Sequence, residues 1–343
     1  MTNTNTFINS DIDKNDYTNF LKNVPSTFYH SMNHLRFLEE LLHLKVKFVI
    51  TQEDSTIKGI LPFFIKESSL GSVVNSLPFF GSYGGVLTES EYIAKDLLDE
   101  FNQYIKKNNV ISATIISNPF NKNKLLYEKN FSHNIIEQRR IQCINLQNLA
   151  EKDLWNSLEQ RVRRSIRKSL KENLEFSKTT LTDETISNFF ELHQKEMNSK
   201  GGKPKPIEFF YTVKNNFSIE NDYDVFEIKK NNKPISYLLV FYHYPFVEYY
   251  MPAYDSEFKN SQSTSLLIWE SLKLSIKKNY HFYNFGGTWF DQPELHRFKR
   301  GWNADDYLYD YYVKADVKKI KDIGIEKLLN DFSYLYIVPF NKI

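Results

Sequence analysis

The sequence contains a single cysteine, Cys143, among 343 residues. Because one thiol cannot form an intrachain disulfide or a thiolate metal cage, disulfide-stabilised secreted folds and zinc ribbons lose their support. No segment approaches the roughly 20 consecutive apolar residues of a membrane-spanning helix. Residues 1–16 show no basic region followed by an apolar run. These absences predict a cytoplasmic protein without a signal peptide or a transmembrane segment.

The chain also lacks an excess of either charge. Its 44 Lys and Arg residues against 42 Asp and Glu give a net charge of +2, so DNA is not an expected partner and any anion site must be local. With 41% hydrophobic and 16% aromatic residues the chain can bury a large core. Its length predicts two domains, which we place at residues 1–148 and 149–343.

Two common catalytic motifs are missing. His30 and His34 have the spacing of metal ligands on one helix face, but no accompanying glutamate completes a metalloprotease motif, so they are interpreted as surface or packing histidines and no metal is expected. The segment GSYGG places its serine directly after the first glycine. It therefore does not match the GxSxG nucleophile elbow of hydrolases.

A short internal repeat is present. YIKKNNVISATI at residues 104–115 aligns with SIKKNYHFYNFG at 275–286, a constant offset of 171 residues. In both places an amphipathic pattern, at 91–107 and 266–278, precedes an apolar strand. The matching order of helix and strand favours a duplicated unit.

A basic amphipathic helix is predicted between the two copies. Its apolar positions recur every four residues, at Leu154, Leu158, Val162, Ile166 and Leu170. Basic residues form neighbouring rows, at Arg163, Arg164, Arg167, Lys168 and Lys171. These rows are either a solvated face or an anchor for the phosphates of a nucleotide, a lipid-linked sugar or an RNA backbone.

The most informative stretch runs from Tyr280 to Trp302. An aromatic strand enters the glycine pair Gly286 and Gly287, where backbone can approach a ligand closely. A short helical segment with the sequence LHRFKRGW follows and carries Lys299 and Arg300. The strand, the glycine turn and the basic residues that follow together predict that this stretch borders a ligand-binding site.

These motifs give the sequence a family resemblance. The segments RVRRSIRKS, YYMPAYDSEFK, NFGG and LHRFKRGW are similar to the FemAB-like branch of the GNAT acyltransferase superfamily, including its phenylalanine-lysine signature. The resemblance covers about residues 150–315 in sequence and the first half in layout only. It implies an α/β chain with tandem GNAT-like domains, each a mixed and largely antiparallel sheet flanked by helices.

The resemblance also implies a reaction. Such proteins transfer an acyl or aminoacyl group to an amine, commonly in peptidoglycan bridges or envelope sugars. No cofactor is held permanently, and acyl-CoA or aminoacyl-tRNA is the co-substrate. The acceptor is a nucleotide- or lipid-linked sugar or peptide, tRNA is a further expected partner, and peripheral binding to the inner membrane stays open. The chain departs from ordinary GNAT enzymes at Asn260 to Ser265, where their glycine-rich pyrophosphate loop is expected and no glycine occurs.

Site residues follow from the resemblance. Lys299 is expected to stabilise an oxyanion or hold donor phosphate, and Tyr254 and Asp255 to accept a proton. Substrate contacts are assigned to Arg163, Arg164, Arg167, Tyr250, Gly286, Gly287 and Arg300. Weak donor phosphate binding is assigned to the helix start at Ser263, Thr264 and Ser265.

Two other classes of function stay open. The alternative to catalysis is a binding module that holds a phosphorylated envelope precursor. An RNA-binding scaffold has the least support, because the charge is balanced and no RNA-binding signature occurs.

Overall fold

The computed structural model describes residues 4–79, 82–121 and 124–343. The chain divides into two compact units: unit 1 comprises residues 1–140 together with 307–343, and unit 2 comprises residues 141–306. The first division lies close to the predicted boundary after residue 148. The segment 307–343, predicted as part of the second domain, groups with unit 1 instead. Its apolar residues, among them Phe332 and Ile337, pack with Val73 and Ile111 in one cluster of that unit, which accounts for the difference.

Unit 1 combines a mixed sheet with helices. Its elements are β1 (Thr4–Asn9), α1 (Lys14–Leu21), α2 (Met32–Leu42), β2 (Val46–Glu53), β3 (Thr56–Ser68), β4 (Gly71–Asn75), α3 (Glu91–Lys107), β5 (Val110–Ile116) and α4 (Lys124–Asn130). β6 (Ile135–Asn145) begins in unit 1 and ends in unit 2. The chain later returns to unit 1 through β12 (Asp305–Ala315) and continues with α11 (Val317–Ile323) and α12 (Ile325–Asp331).

The sheet of unit 1 has the order β1-β2-β3-β4-β5-β12. Neighbouring strands are antiparallel, except that β4 and β5 are parallel. A parallel pair requires a crossover, which α3 supplies. The Ser90 side chain caps α3 by accepting from the Ile93 N–H, and Lys106 and Lys107 lie in its last turn, where cations suit the helix dipole. The helix predicted at 91–107 is thus confirmed.

Unit 2 repeats this layout. Its elements are α5 (Glu151–Ser157), α6 (Gln160–Ser169), β7 (Glu175–Thr179), α7 (Asp183–Ser199), α8 (Glu208–Asn216), β8 (Tyr223–Lys230), β9 (Lys233–His243), β10 (Phe246–Tyr254), α9 (Ser263–Lys277), β11 (Phe282–Thr288) and α10 (Pro293–Gly301). The sheet order is β6-β11-β10-β9-β8-β7. Strands β7 to β10 are antiparallel in turn, and β10 and β11 are parallel, joined through α9. The predicted mixed, largely antiparallel sheets flanked by helices are confirmed.

The predicted basic helix is divided in two. Leu158 and Glu159 adopt extended backbone conformations between α5 and α6, and the Glu159 N–H donates to the Gly301 carbonyl at 3.0 Å. The single helix predicted from the four-residue spacing is therefore wrong at this point. Four of its five apolar positions are buried, but Leu170 is 60% exposed because α6 ends at the preceding residue.

Of the two interpretations of His30 and His34, surface or packing, the structure shows packing, since both are buried in unit 1. His34 is 1% exposed, and its ring lies 4.8 Å from that of Phe28 and 5.6 Å from that of Phe37. His30 is also buried and its Nδ1 lies 2.9 Å from the Thr27 hydroxyl. Burial, with a smaller contribution from His30, lowers the pKa of His34 to about 3.

This lowered pKa predicts acid lability. Below the ordinary histidine pKa the unfolded chain binds a proton at His34 that the folded chain excludes, so stability falls as pH decreases from about 6.5 towards 3. At pH 5 the loss from this residue is about 2 kcal/mol. Urea unfolding at pH 7.5 and 5.0 tests this, with His34→Phe expected to remove about that much of the difference. An unchanged pH dependence in the variant would contradict the assignment.

Candidate functional site

The site in unit 2 is organised by two parallel strands that separate. Residues Phe246–Glu248 of β10 pair with Phe282–Asn284 of β11, and the register ends there. Beyond this point β10 continues to Tyr254 and β11 continues to Thr288. We call the space flanked by residues 249–254 and 285–288 the β10–β11 gap. Diverging strands leave backbone N–H and C=O groups for a ligand, since such groups require partners when buried.

A buried polar pair marks the closed end of the gap. Glu248 is 2% exposed, Asn284 is fully buried, and the Asn284 amide donates to Glu248 Oε2 at 2.8 Å. The Asn284 side-chain oxygen accepts from the Gly286 N–H at 2.8 Å, which ties this pair to the glycine turn. A buried carboxylate is costly unless it is hydrogen-bonded, and the Asn284 amide supplies such a bond.

Lys299 holds the glycine side of the gap. Its ammonium donates to the carbonyls of Gly286 at 2.9 Å and Gly287 at 2.7 Å, and the residue is 4% exposed. Gly286 has φ of +71°, a conformation that favours glycine, and no heavy atom lies within 4 Å of the position a Cβ would take. Pro293 starts α10 and brings the lysine under the turn. The three predicted residues are therefore brought together.

Tyr250 lies on the other side of the gap. The register of β10 against β9 shifts between Tyr249 and Met251, so Tyr250 forms a β-bulge. Its ring stacks on Phe209 with centroids 5.7 Å apart, and the Lys205 ammonium lies 5.3 Å from the ring centroid. Burial, and to a smaller degree the charge of Glu248, raises the pKa of Tyr250. Burial lowers the pKa of Lys205 to about 8.

Asp255 has a structural explanation. It caps the 3₁₀ turn Ser256–Ser261 by accepting from the Glu257 N–H at 3.1 Å, and it pairs with Lys233 at 3.0 Å. Partial burial raises its pKa, but the hydrogen bonds from Lys233 and from the Glu257 backbone outweigh that effect, so the pKa lies below its usual value. A carboxylate stabilised in this way is a weak proton acceptor. Tyr254 is half-buried beside it at the end of β10, with the Lys200 ammonium 6.0 Å from its ring centroid.

The other predicted cations lie outside this cluster. Arg300 is exposed and donates to the Ala304 carbonyl at 3.0 Å and to Asp305 at 2.8 Å. On α6, Arg163 is half-buried and Arg164 and Arg167 are exposed. The Arg167 guanidinium lies 5.3 Å from the Trp155 ring centroid.

No carboxylate within the described part of the chain forms a salt bridge with Arg163, Arg164 or Arg167. The charge of this face of α6 is therefore available to an anion.

The predicted phosphate contacts lie at the start of α9. Ser263 and Ser265 are buried and Thr264 is half-buried. The preceding residue, Gln262, has φ of +57° and its side chain does not cap the helix. The first N–H groups of α9 are thus not satisfied by a capping side chain at this position.

Sequence reasoning missed Glu248, Asn284 and Lys205. The signal for Glu248 was available, since it is the one acidic residue within the aromatic strand sequence FVEYYMPAY. Asn284 and Lys205 carry no comparable signal. Their importance depends on which strands are neighbours and on which face α8 packs.

The comparisons with known proteins agree with this geometry. Residues 156–300, which contain α6, the β10–β11 gap and Lys299, match a family model described as an acetyltransferase (GNAT) domain. The segment is thus similar to GNAT domains in sequence. No curated protein matches the chain in sequence. The predicted GNAT resemblance is thereby confirmed over most of the region to which it was assigned.

Solved structures share the fold of the whole chain. FemX superposes with a TM-score of 0.73 at 14% identity, covering 90% of this chain and 97% of that one. The C-terminal domain of a protein named as a lysylphosphatidylglycerol synthetase from Agrobacterium fabrum gives 0.60 at 8%, covering 92% and 96%. A tandem GNAT protein from the clavulanic acid pathway gives 0.58 at 9%, covering 91% and 98%. The predicted tandem GNAT-like fold is thereby confirmed.

Within the described ranges 4–79, 82–121 and 124–343, no helix combines the length and the apolar character needed to cross a membrane.

Proposed function

We propose that the chain is an N-acyltransferase that moves an acyl or aminoacyl group onto an amine of a cell-envelope precursor, either an amino sugar or a peptidoglycan peptide. The observation that carries the proposal is the β10–β11 gap, with Glu248 at its closed end and the Lys299-bound glycine turn on one side. The GNAT domain match supports acyl transfer in general. An envelope substrate is supported by the resemblance to FemAB-like proteins. It is also supported by the name of one structural neighbour, a lysylphosphatidylglycerol synthetase.

The donor is an acyl-CoA or an aminoacyl-tRNA, and we place its carbonyl in the β10–β11 gap. The backbone edges of residues 249–254 and 285–288 that face the gap are not paired with each other, and we propose that they offer hydrogen bonds to an extended donor. The unpaired arginines of α6 and the uncapped start of α9 are the anionic contacts proposed for donor or acceptor phosphates. Both donor types carry phosphates, so this arrangement serves either one.

The reaction needs one new bond and one broken bond. The neutral amine nitrogen of the acceptor attacks the donor carbonyl carbon, a C–N bond forms, and negative charge collects on the carbonyl oxygen. Collapse then breaks the C–S bond of a thioester or the C–O bond of an aminoacyl ester. We assign to Glu248 the proton that the nitrogen loses, which passes to the leaving sulfur or oxygen. This replaces Asp255, whose low pKa and capping contacts make it the weaker acceptor.

Lys299 is proposed to act on the same centre from the glycine side. Its charge stands behind the carbonyls of Gly286 and Gly287 and fixes the turn that borders the gap. A fixed positive charge in a water-poor site stabilises developing negative charge more strongly than it would in water. Tyr250 and Tyr254 are proposed to contact the acceptor, since they lie on the opposite side of the gap.

Mass spectrometry tests the proposed function. Purified protein is incubated with amino-sugar nucleotides and muropeptide precursors, with acetyl-CoA or charged tRNA as donor. A mass gain on the acceptor that depends on one donor supports transfer and identifies the donor class. No gain with any combination, together with salt-sensitive binding of a nucleotide-sugar, would contradict catalysis and favour the binding module, which the glycine-free segment Asn260 to Ser265 motivates.

Glu248→Gln tests the proton acceptor. Glutamine keeps the size of the side chain and an oxygen for the Asn284 amide, but it cannot accept a proton. We expect kcat/KM to fall about 100-fold with little change in thermal stability. Glu191→Gln on the exposed face of α7 is the matched control and is expected to keep full activity. A Glu248→Gln variant with more than half the wild-type activity would exclude Glu248 as the acceptor.

A further inference from the structure

The two units differ at the end of their parallel strand pair. In unit 1, β4 and β5 pair from Ser72 to Asn75 against Val110 to Thr114, and α3 connects them as α9 connects β10 and β11. Asn75 is therefore the topological counterpart of Glu248, the last paired residue of β10. In unit 2 the strands then separate. In unit 1 the backbone of β5 finds other partners.

Residues that follow β4 close this position in unit 1. The Ser76 N–H donates to the Thr114 carbonyl at 2.8 Å, and the Ser76 hydroxyl accepts from the Ile116 N–H at 2.9 Å. The Gly84 N–H donates to the Ile116 carbonyl at 2.9 Å. The backbone groups of β5 that correspond to the ligand-facing groups of β11 are thus bound by the chain itself.

Close packing leaves little room for a ligand among these residues. A Cβ on Gly84 would lie 2.9 Å from Leu77, and one on Gly85 would lie 2.5 Å from the Tyr127 hydroxyl. That hydroxyl also accepts from the Val86 N–H at 2.8 Å. In unit 2, by contrast, Gly286 on β11 has open space in the same test.

The C-terminal segment seals the neighbouring sheet face. The buried Asn75 amide donates to the Tyr336 carbonyl at 2.8 Å, and the Tyr336 N–H donates back to Asn75 Oδ1 at 2.7 Å. The Ser112 hydroxyl donates to the Ile337 carbonyl, and the Phe79 N–H donates to the Tyr334 carbonyl at 2.9 Å. Ile337 and Val338 are buried at this position. The segment 334–338 therefore occupies the face that in unit 2 carries the Glu248 carboxylate.

We infer that unit 1 is a closed copy of the acyl-transfer domain, sealed by residues that follow β4 and by the C-terminal segment 334–338, so that each chain binds one acyl donor, in unit 2. The inference rests on the proposed function only for the nature of the donor. The role of the C-terminal segment 334–338 is then to occupy, with its own backbone, the position that a ligand would take.

Hydrogen exchange tests the seal without any ligand. We expect the Ser76, Gly84 and Tyr336 amides to exchange at least 100-fold more slowly than unprotected amides, because each is hydrogen-bonded at a packed site. Asn75→Ala is expected to accelerate the Tyr336 amide at least tenfold and leave that of Gly84 unchanged. If Asn75→Ala does not fold, Ser112→Ala, which removes the contact to Ile337, serves instead with Tyr336 again as the reporter. Unprotected Ser76, Gly84 and Tyr336 amides in the native protein would overturn the inference.

Titration with acetyl-CoA as the probe supplies the second arm. We expect one equivalent of acetyl-CoA to bind per chain. Binding is expected to slow amide exchange at residues 249–254 and to leave the exchange rates of residues 112–116 unchanged. Two equivalents, or protection of 112–116, would overturn the inference. If acetyl-CoA does not bind, the acyl-CoA form of the proposed function fails, while the exchange of the three amides still decides whether unit 1 is closed.

Discussion

Replacing Lys299 by methionine is expected to reduce kcat/KM for acyl transfer about 1,000-fold. Methionine keeps the length and much of the packing of the lysine but removes its charge and its donors. The carbonyls of Gly286 and Gly287 then lose their hydrogen bonds from the buried ammonium. The glycine turn is expected to shift, and the positive charge near the reacting carbonyl disappears. Steady-state kinetics with the donor identified by mass spectrometry measures the effect.

A matched control is available on the same helix. Arg297 is an exposed cation of α10, and Arg297→Met is expected to change kcat/KM less than twofold. Because Lys299→Met also removes two hydrogen bonds that hold the glycine turn, its circular dichroism and melting temperature must show that the variant is folded before kinetics are compared. A folded Lys299→Met protein with activity within threefold of wild type would remove Lys299 from the site.

Asp224→Ala is expected to destabilise unit 2 by about 2–3 kcal/mol, since it removes the acceptor of the buried Tyr242 hydroxyl and of the part-exposed Lys178 ammonium. Asp224 on β8 is 1% exposed and accepts from Lys178 on β7 at 2.7 Å and from the Tyr242 hydroxyl on β9 at 2.7 Å. The carboxylate thus joins three neighbouring strands. Burial, followed by the charge of Asp224, raises the pKa of Tyr242, so the phenol stays a neutral donor that has lost its acceptor in the variant.

Urea unfolding of the variant and two controls measures this effect. Glu191→Ala removes an exposed carboxylate that pairs with Lys195 at 2.5 Å and is expected to cost less than about 0.5 kcal/mol. The double variant Asp224→Leu with Tyr242→Phe removes the carboxylate and its buried partner together, and it is expected to recover part of the loss. Equal effects of Asp224→Ala and Glu191→Ala would show that burial of the network contributes nothing.

Local signals explain why much of the fold could be predicted from the sequence. The α3 pattern ends at lysines and begins at a serine cap, and the hairpin between β8 and β9 turns at Asn231 and Asn232, which both have positive φ. The division between α5 and α6 could not be predicted, because it depends on a hydrogen bond between Glu159 and Gly301, far along the chain. Periodicity alone cannot detect such a contact.

The same contrast holds for the site. The glycine pair and Lys299 were adjacent in one motif, and the structure places the ammonium on the carbonyls of that pair. The resemblance implies a proton acceptor at Asp255, but local capping and the ion pair with Lys233 account for this carboxylate. The role of Glu248 depends on the register of β10 against β11, which sequence does not specify.

Contacts between residues far apart in the sequence explain why the predicted domain assignment of segment 307–343 differs from the structure. Segment 307–343 follows the second unit in sequence, yet β12 pairs with β5, and Tyr336 bonds to Asn75. These partners are separated by about two hundred residues or more. Nothing in the tyrosine-rich sequence of β12 indicates that β5 is its partner.

A crystal structure with the donor that supports transfer, bound to the Glu248→Gln variant, tests the central claim most directly. The account predicts one donor per chain. Its acyl carbonyl is expected between β10 and β11, and the donor is expected to form hydrogen bonds with the backbone of residues 249–254 or 285–288. A donor bound away from the β10–β11 gap, or at β4 and β5 of unit 1, would contradict it.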